Sequence, residues 1–228
     1  MGSITIASFN IEKNGQSSEL LKQTKVSDFI DSCVTFNMGV IYLCEVHSAR
    51  IEDYIEQLRA VYGGTYRVEY LDGGYSNAYV FMVNREVDAH LSYDGLKGLN
   101  RNMFLCHVDN EIAIGFAHFK SGQTGLTRSQ LENAGQFMEG FTNNSGKWAI
   151  TGDMNWDFNN AGRLNMPAGS HPSTCWQDMT QRSGNILDWC AAGRSVQVQP
   201  VDGPNFFAPD FQVMDGPDHR PVVFALTW

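Results

Sequence analysis

The chain has no apolar run approaching the ~20 residues that a membrane-crossing helix needs, and its opening, MGSITIASFN, lacks the basic start and long apolar middle of a signal peptide. The sequence as it stands points to a soluble protein of unassigned compartment. It is either cytoplasmic or a secreted mature chain whose signal has been removed, with Met1, Gly2 and Ser3 as an added start. Cysteine is scarce as well. Cys33, Cys44, Cys106, Cys175 and Cys190 are odd in number and include no CxxC pair, which argues against a zinc site and against a complete disulfide framework. The first three sit in apolar stretches, as core thiols would. A bridge between Cys175 and Cys190 stays open, because spacing alone cannot show it. Basic residues are few, with 16 Lys and Arg against 25 Asp and Glu and a net charge of −9. That balance argues against holding nucleic acid through a broad basic face, which rests on many Lys and Arg contacts to phosphate. It leaves room for an enzyme that grips one scissile phosphate through a divalent cation, since such a site needs carboxylates and the cation supplies the positive charge.

What the chain does have is material for a full core. With 228 residues, 43% of them hydrophobic, it reads as a single domain over 1–228. Short apolar runs rich in β-branched and aromatic residues predict strands at Ile4 to Phe9, Val40 to Glu45, Ala78 to Val83, Met103 to Val108, Ile112 to His118, Trp148 to Thr151, Ile186 to Cys190 and Val222 to Trp228. Helical periodicity places Val26, Phe29, Ile30, Cys33 and Val34 on one face, then Ile51, Tyr54, Ile55 and Leu58, then Leu131, Ala134, Met138 and Phe141. Thr127 and Gln130 have the spacing of a capping box at the start of the third helix. Helices between early strands, followed by runs of consecutive strands, predict an α/β fold of packed sheets with helices outside. The stretch from Asn155 to Gly184 is rich in Gly, Asn, Ser and Pro and reads as a functional surface loop.

Polar residues with chemical capability recur at the ends of these apolar strands: Asn10 after ITIASF, Glu45 after VIYLC, His118 after IAIGFA, Asp153 and Asn155 after WAITG, Asp188 in NILDWC, and Asp218 with His219 in MDGPDHRPVVF. Singly, each is more often a cap or a turn residue than a catalyst. Together they supply what phosphodiester hydrolysis demands, namely a cation ligand, a group that orients water, and donors for charge developing on phosphorus. Glu45 is the natural ligand for a hard cation such as Mg²⁺, which prefers oxygen. Asp153 and Asn155 fall at alternate positions and project to one side of an extended segment. His118 and His219 donate when protonated, and a buried carboxylate such as Asp188 would raise the proton affinity of one of them.

The series SFNIE, YLCEV, AHFKSG, TGDMNWD, LDW and PDHRPV resembles the motif series of the endonuclease/exonuclease/phosphatase superfamily, in the family's order and from Asn10 to Pro221. The resemblance implies a four-layer α/β/β/α sandwich with two facing mixed sheets and a site at one end of them. It also implies roles. Asn10 and Glu45 form the metal side with Asp218 as a further metal-side or orienting carboxylate, His118 and His219 flank the scissile phosphate, Asp153 orients water, Asn155 stabilises the transition state, and Asp188 pairs with His219. The cofactor so implied is Mg²⁺, with Mn²⁺ as an alternative.

Within the superfamily, RSGNILDWCAAGRSVQVQP is similar to the corresponding stretch of the nuclease subunit of cytolethal distending toxins, a likeness that would bring partner subunits with it. Two positions depart from the relatives' patterns. Trp156 stands where the toxin-like pattern has a basic residue, and Asn77 stands near where the pancreatic-type nuclease pattern has a Glu that orients the first histidine. The resemblance then implies a weaker phosphate contact and a less polarised His118. Lys120, Arg128 and Arg163 are candidates for substrate phosphates or plain solvated surface. Trp156, Phe158, His171 and Trp176 either stack on a base or pack under the loop. The expected activity is endonucleolytic cleavage of the P–O3′ bond of DNA at low sequence specificity, with Lys120 and Trp156 touching the substrate. The alternatives are a phosphatase acting on a phosphoinositide headgroup or other phosphomonoester, and a catalytically silent binding module.

Overall fold

The structure is a computed structural model that describes residues 1–12, 20–74, 77–94, 103–201, 206, 211, 214 and 216–228. Two six-stranded sheets face each other. The first holds β1 (Ser3–Asn10), β2 (Val40–His47), β3 (Tyr66–Gly74), β4 (Asn77–Asn84), β11 (Gln197–Pro200) and β12 (Val222–Thr227), in the order β11-β12-β1-β2-β4-β3. The second holds β5 (Ala89–Asp94), β6 (Met103–Val108), β7 (Ile112–His118), β8 (Trp148–Asp153), β9 (His171–Ser173) and β10 (Asp188–Ala192), in the order β5-β6-β7-β8-β10-β9. Each sheet is mixed, with one central parallel pair bridged by a helix. In the first, α1 (Leu20–Thr35) joins β1 to β2, and in the second, α3 (Thr124–Phe141) joins β7 to β8. A third helix, α2 (Ile51–Tyr62), follows β2.

Aromatic side chains fill the space between the sheets. Tyr42 meets Phe116 at a tilt with ring centroids 5.2 Å apart, Tyr79 meets Phe104 at 4.6 Å, and Phe81 meets Phe116 edge-on at 5.6 Å. Burying each such ring contributes roughly 2–3 kcal/mol by area removed from water. Residues of opposite parity on the same strands turn outward to the helices. Phe9 meets Phe29 of α1 at 5.1 Å, while Leu131, Ala134 and Met138 of α3 join Met103, Leu105, Ile150 and Trp189 in a separate cluster on the far face of the second sheet. The layers therefore run helix, sheet, sheet, helix, an α/β sandwich.

The third helix starts earlier than a capping box at Thr127 would set it. It begins at Thr124 with no side-chain cap at Gln123. Thr127 and Gln130 instead anchor the end of β7: the Thr127 hydroxyl donates to the Lys120 carbonyl, and the Gln130 side-chain oxygen accepts from the Lys120 N–H at 2.8 Å. Among the described residues all five cysteines are buried free thiols, so Cys175 and Cys190 are not bridged. Burial pushes the Cys190 thiol up, and neighbouring Cys175 adds to the shift.

Glu139 ties α3 to the second sheet. Its carboxylate accepts from the buried Trp148 indole at 2.6 Å and pairs with Arg194. Burial pushes the carboxyl up, yet the bonds from Trp148 and Arg194 outweigh it and hold the group below its ordinary value of 4.5. A carboxyl depressed in the folded state contributes stability that is present above its unfolded value and is lost as pH falls through the folded one. Glu139→Ala is expected to cost about 1–3 kcal/mol at neutral pH by stranding a buried donor. Urea melts at pH 7 and pH 3 check this, with the difference between wild type and variant shrinking at the acid end.

Candidate active site

Strand register brings the chemistry together. His118 is the partner of Asp153 across β7 and β8, and Asp153 is the partner of Asp188 across β8 and β10, so three adjacent strands present these side chains in one row. Two residues back along the same strands stand Phe116 and Thr151, and two residues on from Asp188 stands Cys190, all packed inside. The row is thus the inner face of the second sheet continued to its edge. From the first sheet, β1 ends at Asn10 and lies against β8, and the Asn10 side chain donates to Asp153 Oδ2 at 2.9 Å. Glu45 reaches the same place by a break in regularity. The pairing of β2 with β4 shifts between Leu43 and Val46, and Glu45 takes a left-handed φ of 57°, a conformation that non-glycine residues adopt at a cost. Gly152, at φ 133°, lets β8 approach β7 beside Asp153, since a Cβ there would lie 2.1 Å from the Ala117 carbonyl oxygen.

These side chains line a cavity of about 310 Å³ at one end of the facing sheets. Asn10, Glu45, His118, Asp153, Asn155, Asp218 and His219 all border it, together with Glu12, Ser121 and Gln181, which the sequence did not single out. Asp188 stands behind His219, with Oδ2 at 2.8 Å from its Nδ1. Three bonds fix the Asp153 carboxylate: one from Asn10, one from the Asn155 backbone N–H at 2.9 Å and one from the Asn155 side-chain amide at 3.0 Å. Both imidazoles aim Nε2 at that carboxylate, His118 at 3.6 Å and His219 at 3.8 Å, and His118 Nε2 also lies 3.2 Å from Glu45. Asn155, at φ 48°, gives its other amide hydrogen to the Phe119 carbonyl at 3.0 Å.

The His219 ring is nearly enclosed. Burial pushes its imidazole down, but the carboxylates of Asp188, Asp153 and Asp218 outweigh burial and bring it up to about 10. Burial likewise raises Asp188, to about 6, against the pull of His219. At neutral pH the two form an imidazolium–carboxylate pair whose Nε2–H faces the cavity. A buried clip holds the pair in place. The Thr180 hydroxyl oxygen accepts the backbone N–H groups of Leu187 and Asp188 at 2.7 and 2.8 Å, Gln181 bridges to His219 along the backbone, and the Gln181 amide donates to Asp218 at 2.9 Å.

Besides Asp188, two of the proposed site residues, Trp156 and Lys120, stand outside the cavity lining. Trp156 packs against the cluster under the loop, and its backbone carbonyl accepts from the Trp189 indole at 2.8 Å. Lys120 precedes Ser121 of the lining, with its backbone fixed by Thr127 and Gln130. The other aromatic residues of the 155–184 stretch also pack: Trp176 is buried with its indole bonded to the Pro221 carbonyl and Arg220 stacked on its ring, and Phe158 meets Trp189 edge-on. Arg128 pairs with Glu132 and donates to the Arg163 carbonyl.

The donor set suits a hard cation. Glu45, Glu12, Asp153 and Asp218 offer carboxylate oxygens at the cavity and no cysteine lines it. Asp153, Asp188 and His219 also lie close enough for one ion to touch all three. Within that group Asp188 and His219 are already bonded to each other, and Mg²⁺ prefers oxygen to imidazole.

The sandwich with its site at one end defines a class of protein by fold. The chain has the fold of the endonuclease/exonuclease/phosphatase proteins, one of which, from Bacteroides vulgatus, superposes with a TM-score of 0.67 at 13% identity over 100% of this chain and 99% of that one. TDP2 of D. rerio, solved with a single-strand DNA product, gives 0.71 at 14% identity over 100% of both chains. The human Nocturnin catalytic domain, solved with a bound sulfate, gives 0.69 at 11% over 99% and 93%. No protein-family model matches the chain, and no curated protein matches it at a significant level.

Proposed function

We propose that the chain is a divalent-cation-dependent phosphodiesterase whose favoured substrate is DNA. The observation that carries this is the single cavity in which Glu45, Asp153, His118 and the His219–Asp188 pair converge from both sheets. TDP2 solved with a single-strand DNA product and Nocturnin solved with a bound sulfate share this fold and support a phosphoester as the ligand class.

Glu45, with Glu12 and Asp218 near it, would hold Mg²⁺ or Mn²⁺, and the cation would supply charge neutralisation for the phosphate and its leaving oxygen. Asp153, fixed by three donors, accepts a hydrogen bond from the attacking water and aligns it with phosphorus. The His219 Nε2–H, kept protonated by Asp188, donates to a non-bridging oxygen as charge develops there, and His118, whose ring also borders the cavity, is a second donor. Asn10 and Asn155 brace Asp153, and Asn10 Oδ1 keeps a second lone pair beyond the bond it accepts from the Glu12 N–H. Lys120 roots a cation beside the cavity, within reach of a neighbouring phosphate.

With few basic groups to spread over a duplex, nicking should occur at many positions. Supercoiled plasmid with Mg²⁺ is expected to become nicked circle without a dominant cut, while phosphoinositides release no phosphate. Phosphate release with the plasmid left supercoiled would keep the cavity chemistry and overturn the substrate.

A further inference from the structure

Thr180 stands outside the cavity lining and is fully buried, yet it bonds to the chain beside both members of the imidazolium–carboxylate pair. Its carbonyl accepts the Arg220 N–H at 2.7 Å, one residue past His219. Its hydroxyl oxygen accepts the N–H groups of Leu187 and Asp188 at 2.7 and 2.8 Å. Its own N–H donates to the Asn185 carbonyl at 3.0 Å and closes the turn that leads from one grip to the other.

The need for such a grip follows from where Asp188 sits. It is the first residue of β10, so the sheet ladder secures it from one side only, and the segment before it, 181–187, forms no strand beyond the bridge between Gln181 and His219. A hydroxyl has one hydrogen and two lone pairs. Both lone pairs of the Thr180 oxygen are taken by N–H groups, which leaves the hydrogen for an acceptor, and the Asp188 carboxylate takes it. Burial pushes the Asp188 carboxyl up, and the hydrogen bond from Thr180 is among the influences that draw it back. One side chain therefore binds Asp188 by backbone and carboxylate together. A carboxylate free to turn would offer His219 a shifting partner, whereas a fixed one holds the ring with its Nε2–H toward the cavity.

We propose that Thr180 is a positioning residue of this site: its hydroxyl fixes Asp188 and, through Asp188, aims His219 at the phosphate. The proposal rests on the phosphodiesterase reading and adds a third member behind the His219–Asp188 pair.

The test compares Thr180→Val, which keeps the shape and loses the hydroxyl, with Thr180→Ser, which keeps the hydroxyl, in hydrolysis of bis(p-nitrophenyl) phosphate with saturating Mg²⁺. A misaimed donor costs catalysis rather than binding, so Thr180→Val is expected to lower kcat by about tenfold to 10²-fold with KM within about twofold, and Thr180→Ser to stay within about threefold of wild type. In a His219→Ala background Thr180→Val should cost nothing more, because the group it acts through is gone. An unchanged kcat in Thr180→Val, a loss that Thr180→Ser shares, or one that recurs at full size without His219 would overturn the positioning role and leave diester hydrolysis in place. Should Thr180→Val fail to fold, Thr180→Cys, whose thiol is a weak donor and acceptor, passes through the same cycle with the same outcomes. If wild type does not hydrolyse the diester, the phosphodiesterase reading fails, and the proton spectrum judges the grip alone. The His219 Nδ1–H bonded to Asp188 must then give a downfield resonance that His219→Ala removes, that Thr180→Ser keeps, and that exchange with water broadens away in Thr180→Val or Thr180→Cys. Its absence from wild type, or its persistence unchanged without the hydroxyl, would overturn the proposal.

Discussion

Asp153→Asn is expected to lower the turnover of a phosphodiester on the order of 10³-fold while the protein stays folded. Asparagine keeps the shape of the side chain, but one of its ends is a donor, and three donors already converge on this group from Asn10 and Asn155. The variant can accept from some of them and must turn its own N–H toward another, so both the charge and the alignment of the water are lost. The measurement is kcat in saturating Mg²⁺ beside a circular-dichroism melt. A variant that melts like wild type and turns over within tenfold of it would remove Asp153 from the water-orienting role.

His219→Ala is expected to lower turnover on the order of 10²-fold or more, because it removes a fixed, charged donor from the place where charge develops. Asp188→Asn should produce part of the same loss. The amide can no longer hold the imidazolium that the carboxylate supports across 2.8 Å, and His219 then loses the largest of the influences that raise it to about 10. Since Asp188 acts through His219, the double variant should be little worse than His219→Ala alone. Fully additive losses would show that Asp188 works separately and dissolve the pairing.

The central strands were legible because they are buried on both faces and so read as continuous apolar runs. Val40–His47 and Ile112–His118 stand out for that reason. The strands that escaped notice, β3, β5, β9 and β11, are the edges of the two sheets, where half-exposed polar residues interrupt any apolar run; His171–Ser173 and Gln197–Pro200 are also too short to show alternation, whereas Tyr66–Gly74 does alternate at its start and was missed. The cleft was legible for a related reason. A polar group at the end of an apolar strand is conspicuous, and Asn10, His118 and Asp153 end such strands while Glu45 stands two residues before the end of β2. Glu12, Thr180 and Gln181 lie in irregular segments without a period to betray them, although Glu12 stands two residues past Asn10 and invited attention by that spacing alone. Thr127 and Gln130 show the opposite case, a local pattern drawn into a tertiary role when the end of β7 offered its backbone as a partner.

The most direct test of the cleft as a cation-dependent phosphodiesterase centre is a cation titration of bis(p-nitrophenyl) phosphate hydrolysis by wild type and Glu45→Gln. Wild type is expected to be silent in chelator and to recover with Mg²⁺ or Mn²⁺, and Glu45→Gln should need at least about tenfold more cation for half-maximal rate, because a charged oxygen ligand has been lost. Full turnover in chelated buffer, or a Glu45→Gln titration that overlays wild type, would contradict the account.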